Sequence, residues 1–311
     1  MRVTGNYFSN SFLSQLNTLS ARQQRLQNQV STGQRITAPE DDPASVQRTL
    51  ALQAEQKSNA QYGRNIAAMQ ERATASFNIL KSVKSVSDRA GEIATLADGT
   101  KSPEELRSYA AEVTQMIKQA AQVMNGQHNG SYLFGGTQSS QPPFVLAEDA
   151  DGNVTGVTYQ GNTDISQSEI EAGVTLGVDV PGANATATGE RGLIADTRSG
   201  ADFFNHLISL QNNLLAGNTA AINTADLPAL KKDEDNLIYH ISHNGATQTR
   251  LETSATVAGN RKQSLSRMVS QEADADVTET IVQLNQAQYA YQAALQSGSG
   301  IMRTSLLDYL R

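Results

Sequence analysis

The sequence contains no cysteine and no tryptophan, and only 7 of its 311 residues are proline. Without thiols there is no disulfide framework, no thiol nucleophile and no cysteine-held zinc or iron–sulfur cluster. Aromatic residues make up 5% and hydrophobic residues 38% of the chain. That is a thin supply for the thick core that an enzyme closes around a pocket. Positive charge is also the minority: 24 Lys and Arg against 31 Asp and Glu give a net charge of -7. Such a balance argues against nucleic acid as a partner. No run approaches the roughly 20 apolar residues that cross a bilayer, so no membrane partner is expected. The stretch MRVTGNYFSNSFLSQLNTL lacks both the apolar core and the small-residue cleavage site of a secretory signal. By these signals alone the chain stays in the cytoplasm, unless an export route reads a terminus directly.

What the sequence does have is helical periodicity. From about Asn6 to Gln34, Phe12, Leu16, Leu19, Gln23, Leu26 and Val30 alternate steps of four and three, a heptad seam, with Gly33 as its stop. Pro39 and Pro43 then bracket Glu40, Asp41 and Asp42. Asp42 reads as an N-cap, with Pro43 at the first helical position, where its missing N–H leaves no bond unmade. A long seam follows to about Asp98: Ile66, Met69, Ala73, Ser76, Leu80, Val83, Ser87, Ala90, Ala94 and Ala97. At the helical rise it spans on the order of 80 Å, more than a globular core needs. Ser102, Pro103, Glu104 and Glu105 open another helix carrying Leu106, Ala110, Val113, Ile117, Ala120 and Met124.

Between about Ser131 and Ile194 the period changes. Short runs such as Val154–Tyr159 and Val174–Val180 lie between turn pairs like Asp151-Gly152 and Gly161-Asn162, which predicts a small, mostly antiparallel β domain. Helix returns at about Ala201 with Phe203, Leu207, Leu210 and Leu214, and again after Pro228 from Leu230 to Val269. The last arm keeps the same step through Val277, Ile281, Leu284, Gln288, Tyr291, Leu295, Gly298, Met302, Ser305 and Tyr309. The predicted fold is mainly α with a small inserted β domain: an elongated long-helix rod whose N- and C-terminal coiled-coil arms meet at one end. The expected division is residues 1–42 with 272–311 as the arms, 43–130 with 201–271 as the rod, and 131–200 as an outer β domain. Arms of this length with polar residues in the seam are marginal alone, so they are expected to order only against neighbours. Residues 1–35 carry Arg2, Arg22, Arg25 and Arg35 and no acid, whereas 272–311 carry five acids, so charge is expected to orient the arms as a pair.

No catalytic constellation stands out, and no cofactor or metal is expected. His240 and His243 share a helix face near Asp233 and Asp235, but no third ligand has a compelling spacing. Asp149 to Asn153 faintly suggests a calcium loop, yet its twelfth position is Gln160, and a hairpin turn is the plainer reading. No phosphate loop, dinucleotide fingerprint or nucleophile elbow is present. Function is therefore expected at the apolar heptad positions of the two arms.

Several segments carry a further signal. VSTGQRITAPEDDPASVQRTL at 30–50 resembles the N-terminal hinge of the flagellin family, with its S-x-G-x-R-I and D-D-P-A elements. SYLFGGT at 131–137 resembles the start of that family's β region, and VTYQGNTD at 157–164 is similar to a β-domain signature of its hook–filament junction branch. The end, NQAQYAYQAALQSGSGIMRTSLLDYL, resembles that branch as well.

The resemblance implies a structural subunit of the bacterial flagellum, not an enzyme, lying outside the cell after type III export without a cleaved signal peptide. Its arms would form an inner coiled-coil tube and its β domain an outer knob. A ring of about eleven copies would adapt the hook to the filament. Hook-associated protein 1 would lie on one side and flagellin on the other, and an export chaperone would hold the C-terminal helix. The candidate assembly residues are Phe8, Phe12, Leu16, Leu19, Leu26 and Val30 on the first arm. On the last arm they are Val277, Ile281, Leu284, Tyr291, Leu295, Met302, Leu306, Leu307, Tyr309 and Leu310. Competing readings are flagellin itself, a cytoplasmic coiled-coil scaffold, and an enzyme housed in the β middle.

Overall fold

The computed structural model describes residues 4–186 and 188–309. Its helices are α1 (Thr4–Thr32), α2 (Pro43–Leu96), α3 (Pro103–Met124), α4 (Phe203–Ala216), α5 (Thr219–Ala221), α6 (Leu227–Ala273) and α7 (Val277–Tyr309). Nine short strands lie between α3 and α4: β1 (Gln127–His128), β2 (Ser131–Tyr132), β3 (Phe144–Glu148), β4 (Val154–Tyr159), β5 (Ser168–Glu171), β6 (Val174–Leu176), β7 (Ala183–Asn184), β8 (Ala195–Asp196) and β9 (Ala201–Asp202). The chain is thus mainly helical with a small strand-containing insert. It divides into two compact units, Met1–Asn59 with Asn260–Arg311, and Ala60–Gly259.

The start signals act as the sequence predicts. The Asp42 carboxylate accepts the Ser45 N–H at 3.1 Å ahead of α2. Ahead of α3, Ser102 Oγ accepts the Glu105 N–H at 3.3 Å, while Glu105 Oε2 accepts the Ser102 N–H at 2.8 Å. This reciprocal box satisfies two donors that a helix start leaves over.

In the unit Ala60–Gly259, all ten seam positions predicted on α2 are buried, and so are all six on α3. From Leu80 onward the apolar ones pack with Phe203, Leu207, Leu210 and Leu214 of α4, Leu230 and Leu237 of α6, and Leu133, Phe134, Phe144 and Val154 of the insert, while Ile66, Met69 and Ala73 form a second cluster with Ile170 and Leu251. Polar seam residues close carbonyls that the helices and loops leave open. Asn244 donates to the Ala73 carbonyl at 3.2 Å, and Asn236 to those of Gly192 and Leu193 at 3.0 and 2.7 Å. Buried Gln211 accepts from Thr114 Oγ1 at 2.8 Å and donates to the Val154 carbonyl at 3.1 Å, tying the β3–β4 hairpin to α3 and α4.

The insert differs from a single antiparallel domain. It is four separate small sheets, β1–β2, β3–β4, β5–β6 and β7–β8–β9, and β7 pairs with β8 in parallel. Side chains join them instead of a continuous ladder. Tyr159 Oη donates to the Phe134 carbonyl at 2.9 Å and accepts the Gly182 N–H at 3.0 Å, while Asn162 bonds Thr137. The segments 131–137 and 157–164 therefore fold against each other. Helix also starts earlier than Pro228 predicted. A π-helical turn, Ile222–Asp226, leads from α5 into α6. Such a widened turn lets a helix pass a residue with no N–H to donate.

Candidate assembly surface

In the unit formed by 1–59 and 260–311, α1 and α7 lie side by side. The side of α7 covered by α1 alternates small residues with Leu284 and Tyr291. Thr280, Ala287 and Gly298 are buried, and Leu284, Tyr291 and Ala294 half-buried. The steps are again four and three: Leu284, Tyr291 and Gly298 are positions of the predicted seam, whereas Thr280, Ala287 and Ala294 stand in place of Ile281, Gln288 and Leu295, which each lie one residue later. Small side chains win the contact because they let two backbones approach. The Phe12 ring of α1 rests directly on Gly298, where any β-carbon would overlap it. On α1, Leu26 is buried and Phe12, Leu16, Leu19, Gln23 and Val30 are half-buried.

Beneath this pair the chain passes through a joint. The Arg35 N–H donates to the Ala273 carbonyl at 2.8 Å, and the Ala275 N–H to the Gly33 carbonyl at 2.8 Å. These bonds form a backbone bridge between the two connectors, with Gln34 opposite Asp274. Side chains lock it. The Arg35 guanidinium reaches the Glu272 carbonyl at 2.9 Å, Ser45 Oγ at 3.3 Å and Asp42 at 3.5 Å. Arg48 grips Glu272 through two hydrogen bonds of 3.1 and 3.0 Å, which holds that carboxyl below its ordinary range. Asp41 accepts the Ala38 and Thr37 N–H groups, which lower its pKa, and pairs with Arg25 at 3.2 Å.

Charge therefore acts at the joint and not along the arms. Among the described residues no side-chain ion pair runs from α1 to α7. Both arms are helices over their described length. Each covers the other's seam, and the bridge holds the two starting points together, which offsets part of the ordering entropy.

The candidate residues fall into two sets. Phe12, Leu16, Leu19, Leu26, Val30, Leu284 and Tyr291 lie in or beside the α1–α7 seam. Val277, Ile281 and Leu295 are 43%, 42% and 45% exposed, roughly a quarter turn around α7 from that seam. Val282 and Tyr289, absent from the candidate set, are exposed on α7 as well. Their signal is that they fall outside both four-three registers. The side chains of Phe8, Met302, Leu306, Leu307 and Tyr309, and all of Leu310, lie outside the described residues.

The candidate chemistry of the other unit resolves into structure. His240 is buried, with Nε2 3.1 Å from the Gly192 carbonyl, and burial pushes its pKa down to about 4. His243 is exposed and stacks on the Tyr239 ring with centroids 6.1 Å apart. Buried Asp233 accepts the Asp202 N–H at 2.8 Å and holds His206 Nδ1 at 2.7 Å, raising the histidine pKa. Asp149 caps the β3–β4 turn by accepting the Asp151 and Asn153 N–H groups. Among the described residues, no three His, Asp or Glu side chains gather as a metal site. No described helix is long and apolar enough to cross a membrane.

Residues 3–139 match the model of the bacterial flagellin N-terminal helical region. Flagellar hook-associated protein 3 of Salmonella typhimurium is 25% identical over 185 residues, 59% of this chain and 56% of the relative's own length. The Escherichia coli protein of that name is 22% identical over 294 residues, 90% of each chain. A putative flagellar hook-associated protein from Vibrio parahaemolyticus shares the fold with a TM-score of 0.61 and 19% identity, over 75% of this chain and 100% of that one. Bacillus cereus FlgL does so with a TM-score of 0.56 and 21% identity, over 71% of this chain and 99% of that one.

Proposed function

We propose that this chain is a member of the flagellin family in its hook-associated protein 3 branch, and that it is the hook–filament junction subunit, a reading supported by the match of residues 3–139 and by the two relatives of that name. It is a structural protein, not an enzyme. In this reading it lies in the flagellum outside the cell, between hook-associated protein 1 and flagellin. About eleven copies close a ring there, as a repeated head-to-tail contact does when its rotation closes. A chaperone holds α7 before export, which proceeds without a cleaved signal. The division into arms (1–42 with 272–311), rod (43–130 with 201–271) and outer β domain (131–200) is part of the same proposal.

The observation that carries this reading is the two-sided nature of α7. One stripe is already covered by α1, while Val277, Ile281 and Leu295 remain more than two-fifths exposed beside it. Each would gain roughly 1 kcal/mol on burial against a neighbour, before ordering costs. Repetition around a ring multiplies weak contacts into a strong joint.

The test is antibody labelling of detached flagella, combined with Leu295→Asp. Label at a single point at the hook end is expected. Label along the whole length would indicate flagellin instead, and label only in the cell body a cytoplasmic scaffold. Leu295→Asp should abolish the junction signal while changing the stability of the α1–α7 pair by less than about 0.5 kcal/mol. Equal loss of both would place Leu295 in an ordinary core.

A further inference from the structure

The sequence contains three Asn-Gly pairs: Asn125-Gly126, Asn129-Gly130 and Asn244-Gly245. An asparagine followed by glycine can react with its own backbone. The glycine nitrogen attacks the side-chain carbonyl carbon, and no β-carbon on the next residue hinders it. The reaction needs a free glycine N–H and a side chain free to turn onto it.

Two of the three pairs meet neither need. The Asn125 side chain is held at both ends by the Phe144 backbone, at 2.8 and 2.9 Å, and the Gly126 N–H donates to the Val123 carbonyl at 3.0 Å. Asn244 is 5% exposed, donates to the Ala73 carbonyl and accepts from Gln248, and Gly245 stands in the ladder of α6.

Asn129-Gly130 differs on every count. The pair forms the two-residue loop of the β1–β2 hairpin, and both residues are exposed. Asn129 has φ +49°, the one positive value at a non-glycine among the described residues, and Gly130 has φ +77°. That pair of angles marks the tight hairpin turn that favours Asn-Gly, and it leaves Asn129 in a sparsely populated region. Among the described residues no hydrogen bond holds the Gly130 N–H. The carboxamide has one partner, His128 Nε2, 3.1 Å from Nδ2. Two residue pairs, Gln127 with Tyr132 and His128 with Ser131, and one backbone bond, from the Leu133 N–H to the Gly126 carbonyl at 3.2 Å, hold the hairpin, so its opening is local.

We propose that Asn129 is a self-modification site of this protein, converting to aspartate and isoaspartate without an enzyme. The Gly130 nitrogen forms a bond to Asn129 Cγ and gives up its proton, the Cγ–Nδ2 bond breaks, and Nδ2 leaves as ammonia. Water then opens the five-membered imide at either carbonyl. One product is aspartate. The other carries the main chain through the former side chain, adding a backbone atom to a loop that has room for two residues. That product cannot keep the β1–β2 register, so the break falls at the start of the insert, one residue pair before buried Leu133 and Phe134.

The test follows the full chain during storage in mildly alkaline buffer, folded and in urea, with fragmentation mass spectrometry placing each deamidated residue. In the folded chain Asn129 should react at least about tenfold faster than Asn125 or Asn244, equivalent to about 1.4 kcal/mol of difference in reaching the reactive geometry. In urea the three rates should converge. Asn129→Gln, which would need a six-membered ring, should remove the modification at this position and leave the other two rates unchanged. Equal rates in the folded chain, or an Asn129 slower than the other two, would overturn the proposal.

Discussion

Replacing Gly298 by alanine separates two effects of opposite sign. Within a free helix, Ala at this position would be worth about 1 kcal/mol over Gly, because glycine loses more backbone freedom on ordering. Against α1 the added methyl overlaps the Phe12 ring, and Phe12 must leave its seat. Overpacking of this kind costs about 1–3 kcal/mol. The variant alone should therefore destabilise the α1–α7 pair slightly, by up to about 2 kcal/mol. In a Phe12→Ala background the same change should stabilise it by about 1 kcal/mol. Hydrogen exchange at amides of residues 10–30 and 280–298, in the four proteins of the cycle, gives the coupling energy. It should reach about 1–3 kcal/mol, and additivity within about 0.5 kcal/mol would refute the close approach of the two helices.

Two further outcomes follow from the joint and from buried histidine. Burial pushes His240 down to about 4 when folded, from the ordinary histidine value of 6.5 that it regains when unfolded. Its contribution is complete above the unfolded value and is lost as pH falls through the folded one. The total is at most about 3 kcal/mol. His240→Leu should flatten that acid limb in melts between about pH 4.5 and about pH 7.5, since Asn236 still satisfies the Gly192 carbonyl. An unchanged limb would mean that His240 is not buried neutral. His206 acts in the opposite direction: its raised pKa gives stability below its unfolded value that fades as pH rises through the folded one. At the joint, Arg35→Ala should speed exchange of the Ala275 N–H several-fold, with the wild type moving toward the variant as salt is raised. No change would show that the backbone bridge stands without its side chains.

Most of the helical framework was legible because burial there follows one period. The α2 seam from Ile66 to Ala97 and the Ser102 cap needed only step lengths and start signals. The α7 register was legible only in part. The heptad reading reached Leu284, Tyr291 and Gly298, but it gave weight to Ile281 and Leu295 where the covered positions are the smaller Thr280, Ala287 and Ala294. The insert was legible as strand and turn but not as four sheets, since it is joined through Tyr159, Gln211 and Asn162, whose partners lie far away in sequence. His240 and Asp233 were noticed as potential chemistry. Only their partners, a carbonyl and a neighbouring histidine, show them to be structural.

The bridge between Gly33–Arg35 and Ala273–Ala275 ties positions about 240 apart in sequence. A polypeptide delivered leading end first cannot close this clasp until nearly its whole length has emerged. Thr4–Thr32 would come out first and find its mate last, so for most of that passage the leading helix would travel with its sticky side bare. Whatever shelters that stripe in the interval would govern where the first wrong association occurs.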